Sequence, residues 1–496
     1  MKKMKRLIII TITAFFLVTT LNSQNIDDAL RYSQTFYTGT ARFNSMGGAF
    51  TSLGADLSAI TLNPAGSGMF RSFEISVTPK LIYNNTSALF NNTQTDDFRY
   101  TFGLSNVGIV TNIISKKDET SGIINLNMAY TYTGTGNFNE NTKIVGVSDI
   151  SSMADYWART SEGKYYKDLD GSAGIAYDAW IMDTIPGSGA SSYGTIFSAY
   201  GEYANPTYGQ VIKRTIQNEG YTGEHSFSFG MNLSNKVYLG ASFGIHPLRY
   251  TGHYDHLETD DYGVVPDFKN FTYTDHFETS GTGYSGKVGL ILRPIDILRI
   301  GVAFHSPIVY NLDDYFYDNI RSEFDNYDQY EATNDPLRYS YTLTTPFRAS
   351  AGASLQLGKL GIVSADYEYV DYTKARFSNA SDGYNYSYEN GTVADSLKAS
   401  NNIRLGAELR LGFMYLRGGY GLYGSAFKAG TVNENLVYNI ASGGIGFRQN
   451  NFFFDIAYSY QWSTQYTYMY WDPPYLNPAT VKNVRNTITT TLGIRF

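Results

Sequence analysis

In the last thirteen residues of the chain, Val484, Asn486, Ile488, Thr490, Leu492, Ile494 and Phe496 fall on one side of an extended backbone. Arg485, Thr487, Thr489, Thr491, Gly493 and Arg495 fall on the other. Residues 402–411 repeat the pattern, with Ile403, Leu405, Ala407, Leu409 and Leu411 alternating with Asn402, Arg404, Gly406, Glu408 and Arg410. Successive side chains of a strand point to opposite faces, so a period of two belongs to a strand with one apolar and one polar face. Fourteen such segments follow one another, at about 72–84, 99–114, 121–133, 223–234, 237–251, 271–292, 296–305, 339–357, 360–374, 400–411, 413–423, 435–447, 450–464 and 484–496. The second, fourth, sixth, eighth, tenth and twelfth end in short turns, such as Ser234-Asn235-Lys236 or Gly358-Lys359, and the others run into long polar loops. An even number of strands with short turns at one end and long loops at the other is the pattern of an outer-membrane barrel, whose short turns are periplasmic. The expected fold class is therefore an all-β, 14-stranded antiparallel transmembrane β-barrel.

Composition bears on the one soluble competitor, a β-sandwich. The chain carries 44 Tyr and 30 Phe among 496 residues, a usage that suits aromatic girdles at two lipid interfaces. A sandwich would need neither the loop asymmetry nor an apolar face on nearly every strand. The long loops are rich in Tyr and Asp and cover about 134–222, 252–270, 306–338, 375–399 and 465–483. The first of these is far longer than a structureless loop in a compact domain, so it is expected to carry structure of its own, with a short helix near Ser151 to Arg159.

The chain starts with Lys2, Lys3, Lys5 and Arg6, an apolar run from Leu7 to Leu21 and the small and polar residues Asn22 and Ser23. A run of about 15 residues is too short to span a bilayer as a helix and reads as a signal peptide, residues 1–23. Without those four cations the chain has 34 basic and 45 acidic residues, a formal charge of about −11, which disfavours nucleic acid as a partner. There is no cysteine, which excludes disulfides and thiolate metal sites.

Residues 43–70, FNSMGGAFTSLGADLSAITLNPAGSGMF, are too small to pack a domain and too rich in breakers for a long helix. Ala41-Arg42, the run from Met46 to Ala59 with Gly47 and Gly48, and the stop Asn63-Pro64-Ala65-Gly66 resemble the N-terminal plug of the outer-membrane long-chain fatty acid and aromatic hydrocarbon transporter family, FadL/TodX. Further matches are the segments Pro294 to Pro307, Ser364 to Tyr367 with Asp371-Tyr372, Asn402 to Glu408 and Leu416 to Tyr420, and the terminal Phe496. The resemblance spans the mature chain. It implies a plug at 24–71 filling the lumen of a barrel at 72–496, gating by Asn63, Pro64, Ala65, Gly66, Gly47 and Gly48, and a hydrophobic small-molecule ligand that leaves sideways through the wall into outer-membrane lipid. It implies a monomer working by passive diffusion with no cofactor, metal or catalytic residue.

Strand parity points Arg299, His305, Arg348, Asp366, Glu368, Arg404, Glu408, Arg410, Arg417 and Asp455 into the lumen, as the cost of a charge on the lipid face demands. Either they neutralise one another, or arginines among them, with Arg348, Arg404 and Arg417 the best placed, take a ligand carboxylate. The histidines leave a haem-binding receptor open as an alternative: His253, His256 and His276 lie on or near one external loop, and His246 has lumen parity. A surface adhesion barrel using its tyrosine-rich loops is a third reading. A hydrolase is disfavoured because His225 falls with Phe227 and Phe229, opposite Ser226 and Ser228. A plain porin needs no plug.

Overall fold

The protein is described from a computed structural model covering residues 26–496 except 117–118, 188, 198–206, 471 and 473–474. The expected signal peptide lies outside the described residues. Fourteen antiparallel strands form the wall: β1 (Glu74–Phe90), β2 (Thr93–Ser115), β3 (Ile123–Asn137, continued by Glu140–Val147), β4 (Val211–Leu233), β5 (Val237–Thr259), β6 (Phe268–Ile295) and β7 (Leu298–His305, continued by Val309–Phe324) make its first half. The second half is β8 (Leu337–Thr344 and Arg348–Gln356), β9 (Gly361–Asp371), β10 (Ala399–Leu411), β11 (Met414–Tyr423), β12 (Tyr438–Gln449), β13 (Phe452–Thr467) and β14 (Ala479–Arg495). Each pairs with its chain neighbours, and β1 closes on β14 from Glu74↔Arg495 to Leu89↔Thr480, so no edge is left. Outward side chains such as Ile75, Leu81, Val302, Leu405, Leu409 and Leu492 stay exposed, while their inward neighbours are buried. This apolar exterior makes the fold that of a transmembrane β-barrel.

The short turns lie where the alternation places them, at Ser234-Asn235-Lys236, Asp296-Ile297, Gly412-Phe413 and Asn450-Asn451 among others. The long-loop end differs from expectation in two ways. The connection of the first two strands is a tight turn, Asn91-Asn92, with φ of 42° and 65°, so residues 85–98 are ladder and not loop. The expected loop at 134–222 shrinks to 148–210, and much of 306–338 is strand, because β3, β4 and β7 run on past the apolar band. There the aliphatic residues such as Ile144, Ile212 and Ile320 face inward under the cap and the opposite face is largely polar or tyrosine, so outward hydrophobic alternation ends while the backbone ladder continues. β7 and β8 break side by side at Ser306-Pro307-Ile308 and Thr345-Pro346-Phe347, where proline has no N–H for a ladder. Thr345 bridges both breaks, its N–H donating to Ile308 O and its Oγ1 accepting from Ile308 N, each at 2.9 Å.

Residues 148–210 carry the helices α4 (Met153–Ser161) and α5 (Gly171–Asp178) and a small hairpin, Met182–Thr184 with Tyr193–Thr195. Trp157, Ile175, Met182 and Phe197 form one apolar cluster with Ile144, Phe268, Phe271 and Ile320 of the wall, so the segment caps the long-loop end of the barrel. Residues 26–70, ahead of β1, lie inside the barrel. This segment starts as helix α1 (Ile26–Ser33) near the long loops, runs through an arm at 34–40, and fills the lumen with two short helices, α2 (Ala41–Ser45) and α3 (Ala59–Leu62), and a 3₁₀ turn, Pro64–Met69.

Candidate functional site

The plug is seated by backbone approach. Wall glycines at inward positions face it where any other residue would collide: a Cβ on Gly289 would overlap Asn63 Oδ1, one on Gly240 the Pro64 carbonyl carbon, one on Gly301 the Thr51 carbonyl, and one on Gly419 the Gly47 nitrogen. Gly47 and Gly48 themselves need left-handed backbone, at φ 63° and 73°. Asn63 Nδ2 donates to Thr51 O at 2.7 Å and reaches the Val302 carbonyl at 3.3 Å, while its Oδ1 accepts from Ala65 N and caps the 3₁₀ turn. Asn63-Pro64-Ala65-Gly66 is thus wedged between plug and wall, fully buried.

The lumen charges hold the same object. Arg42 of the plug makes a two-pronged contact with Glu408, at 2.9 and 3.3 Å, and Glu408 also accepts from Arg417 at 2.6 Å. Arg417 in turn donates to Asp455 at 2.7 Å. Asp366 accepts from Thr51 N and Oγ1 at 2.8 and 2.7 Å. Three side chains catch plug carbonyls: Arg299 takes Leu53 O at 2.9 Å, Lys287 takes Thr61 O at 2.8 Å and His305 takes Leu62 O at 2.8 Å. Arg348 and Arg404 share Glu368, at 3.4 and 3.7 Å. Arg348 also donates to the Ser33 carbonyl, and Arg404 lies 4.9 Å over the Tyr37 ring. Of the three arginines singled out for a ligand, two therefore meet at one carboxylate beside the arm, and Arg417 stands apart with the plug body. Arg410, expected in the lumen, is exposed at the short-turn rim beside Tyr415, because inward parity at a strand end points to solvent.

Above the plug is an apolar chamber lined by Leu248, Tyr250, Leu312, Leu343, Val393 and Leu436, and its occupant is the helix Ile26–Ser33 through Ala29, Leu30 and Tyr32. Arg31 stacks 4.2 Å over the Tyr250 ring and pairs with Asp28. Below the helix a polar void of about 30 Å³ between arm and wall is lined by Tyr37, His246, Lys287, His305 and Arg348, room for about one water molecule. A separate cavity of about 300 Å³ opens outside, among the loops, between Trp180, Met182, Asp183, Phe324, Asp328 and Tyr330.

The wall has a seam. The β2–β3 ladder runs from Ser115↔Asn125 to Asn106↔Thr133 and stops, although β2 continues to Thr93 and β3, through Gly134 and Gly136, to Val147. Above that level β3 stays with β4 and steps inward across the β1–β2 hairpin: Thr86 Oγ1 donates to Asn141 O at 2.6 Å, and a Cβ on Gly146 would overlap the Phe90 ring. The local cause spans three strands at one height, with a register shift at Thr78/Pro79 in β1, the matching extra residue Ser105 in β2 and a shift between Gly134 and Gly136 in β3. The arm lies on this seam. Phe36 N donates to Thr135 O at 3.3 Å, Thr38 Oγ1 to Gly134 O at 2.5 Å, and Ser105 Oγ to Gly39 O at 2.7 Å. Outside, Phe98, Tyr100 and Phe102 line the free edge of β2 and are more than half exposed.

The histidines divide between faces. His253 and His276 oppose each other across β5 and β6, whereas His256, one place of opposite parity along β5, is buried inside and hydrogen-bonded to Glu258 at 2.9 Å. His246 faces Ser285 at 2.7 Å in the lumen, and His225 lies outside against Tyr130. Among the described residues no group of three or more His, Asp or Glu could hold a metal ion.

No family model and no curated protein matches the chain. Solved structures do. A FadL homologue of Pseudomonas aeruginosa superposes with a TM-score of 0.54 over 92% of this chain and 98% of its own, at 13% identity. The toluene transporter TodX of P. putida gives 0.52 over 93% and 99%, at 11% identity. At such identities the likeness is one of fold. The chain has the plugged, fourteen-stranded barrel fold of the FadL and TodX structures.

Proposed function

We propose that the protein is an outer-membrane channel of the FadL/TodX family that admits an apolar small molecule, a long-chain fatty acid or a compound like it, by diffusion. The observation that carries this reading is the pairing of a wall seam with a plug arm lying on it. A porin has no use for either. The ligand is gathered among the loop aromatics, where the cavity beside Trp180 and Tyr330 offers apolar walls. It then enters the chamber now filled by helix Ile26–Ser33, gaining about 0.8 kcal/mol per buried methylene. When the helix and the arm at 34–40 give way, the β2–β3 seam is uncovered and the ligand leaves sideways into the membrane. Asn63 to Gly66 serve as the fixed anchor of this motion, since glycines of β5 and β6 leave them no room to slide, and Gly47 and Gly48 fix the other end of the plug. Arg348 and Arg404 hold the arm in its resting place, and Arg417 holds the plug body.

The absence of native cysteine makes a direct test practicable. The rings of Phe36 in the arm and Tyr438 in β12 lie 4.9 Å apart. A chain carrying Phe36→Cys and Tyr438→Cys is expected to take up labelled oleate when reduced and to stop when a short thiol cross-linker ties arm to wall. Uptake that continues through the tethered form overturns the proposal, and so does an unmodified chain that carries neither oleate nor the uncharged oleyl alcohol.

A further inference from the structure

Five lysine and arginine side chains are buried among the described residues: Lys80, Lys287, Arg348, Arg404 and Arg417. Four have a carboxylate within 4.0 Å: Lys287 has Glu224 at 2.5 Å, Arg348 has Glu368, Arg404 has Asp366 and Glu368, and Arg417 has Glu408 and Asp455. Lys80 has none. No hydrogen bond holds its ammonium, and a second cation on the same inward face, Arg485 of β14, stands opposite Asn84, four residues farther along β1, with an Nε that lacks a partner. Glu140, which acts on Arg485 from β3, is itself held by Asn84 at 3.2 Å and by Asn483. Withdrawing a lone ammonium from water costs several kcal/mol, and a wall needs no lysine there: its ladder partner on β14 is Thr489.

The position of Lys80 gives the reason for it. It follows Pro79 at the register shift that begins the seam, and its Nζ lies 3.2 Å from where a Cβ on Gly134 would stand. Gly134 is also the residue whose carbonyl accepts Thr38 of the arm. Lys80 therefore stands beside the residue of β3 on which the arm rests at the seam. We propose that Lys80, assisted by Arg485, is the headgroup site of an anionic amphiphile at its point of exit. A carboxylate arriving as the arm lifts meets the Lys80 ammonium, which no ion pair occupies, while its tail passes between β2 and β3 toward Phe98, Tyr100 and Phe102. The three arginines that parity brought forward each face a wall carboxylate already, although the Arg404 guanidinium makes no hydrogen bond, and they stand on β8, β10 and β11, away from the seam. The inference rests on the transport reading and adds to it a residue that selects for one terminal negative charge at the exit.

The test compares uptake of labelled oleate with that of oleyl alcohol, the uncharged molecule of equal length, by the full chain in outer membranes. Assembly of each variant is checked by the mobility shift of the unheated barrel on a gel. Lys80→Met is expected to raise the half-saturating oleate concentration about tenfold, the worth of one charge-assisted hydrogen bond, and to leave the alcohol unchanged. Lys80→Arg is expected to keep oleate near its original value. Should Lys80→Met fail to assemble, Arg485→Gln is expected to show the same selectivity with a smaller shift. Unaltered oleate uptake, or equal losses for both molecules, overturns the headgroup site. If the unmodified chain carries the alcohol but not oleate, the headgroup site falls and the transport reading stands; if it carries neither, both fall.

Discussion

Lys287 and Glu224 meet at 2.5 Å with both side chains almost wholly out of water, and Lys287 also reaches the plug at Thr61 O. Such a pair adds little to stability as a whole, but breaking it leaves one charge buried and alone. Glu224→Gln is therefore expected to destabilise the protein by about 3–5 kcal/mol, and adding Lys287→Met is expected to recover most of the loss, both read from denaturant unfolding in detergent. Strand parity placed Arg348, Arg404, Glu408 and Arg417 on the lumen side without any structure. It could not say what each would touch, because Arg42 and Glu408 are 366 residues apart and their contact exists only once the barrel has closed around the plug. Lys80 escaped notice for the same reason: its oddity is the lack of a partner, which is no property of the residue or its neighbours in sequence. The seating glycines did leave a trace. Gly240, Gly289, Gly301, Gly406 and Gly419 all sit at inward positions within strands, where glycine weakens a strand unless another backbone must come close.

Helix α4 shows an element whose local code is complete. Ser152 accepts from Ala154 N, Asp155 returns a bond to Ser152 N at 3.1 Å, and the helix follows directly. Ser152→Ala is expected to cost about 1 kcal/mol in that helix, measured as faster amide exchange at 153–161 with the barrel strands unaffected. The wall strands were equally legible within the lipid-facing band, where a period of two is enforced by water-free surroundings. Beyond the band β3, β4 and β7 keep their ladder with residues such as Asn141, Lys143, Lys213, Gln217, Asn319 and Arg321 on the face opposite Ile144, Ile212 and Ile320, and residues of those polar types are what loops are made of. The seam was illegible too. Pro79, Ser105, Gly134 and Gly136 can each be tolerated in a strand, and only their coincidence at one height on three neighbouring strands breaks the ladder.

For the molecule as a whole, plug and wall are one packed unit, so disturbing the seat should change permeability while sparing the barrel. A Cβ on Gly240 would strike the backbone of Pro64 and Ala65. Gly240→Val is expected to strain the contact by about 1–3 kcal/mol and to raise ionic conductance several-fold in planar bilayers, with the unheated gel shift intact. Unchanged conductance would mean that the wall yields instead of the plug. Alternation, turn chemistry and residue size act over a few neighbouring positions, and they suffice for the number of strands, which face of each meets lipid, the end on which the short turns lie and the presence of a segment fit only to fill a lumen. Where the wall parts, which segment lies on the parting and which buried lysine has no carboxylate beside it follow from the folded chain alone, because each depends on residues brought together by closure of a barrel whose first and last strands lie some 400 residues apart.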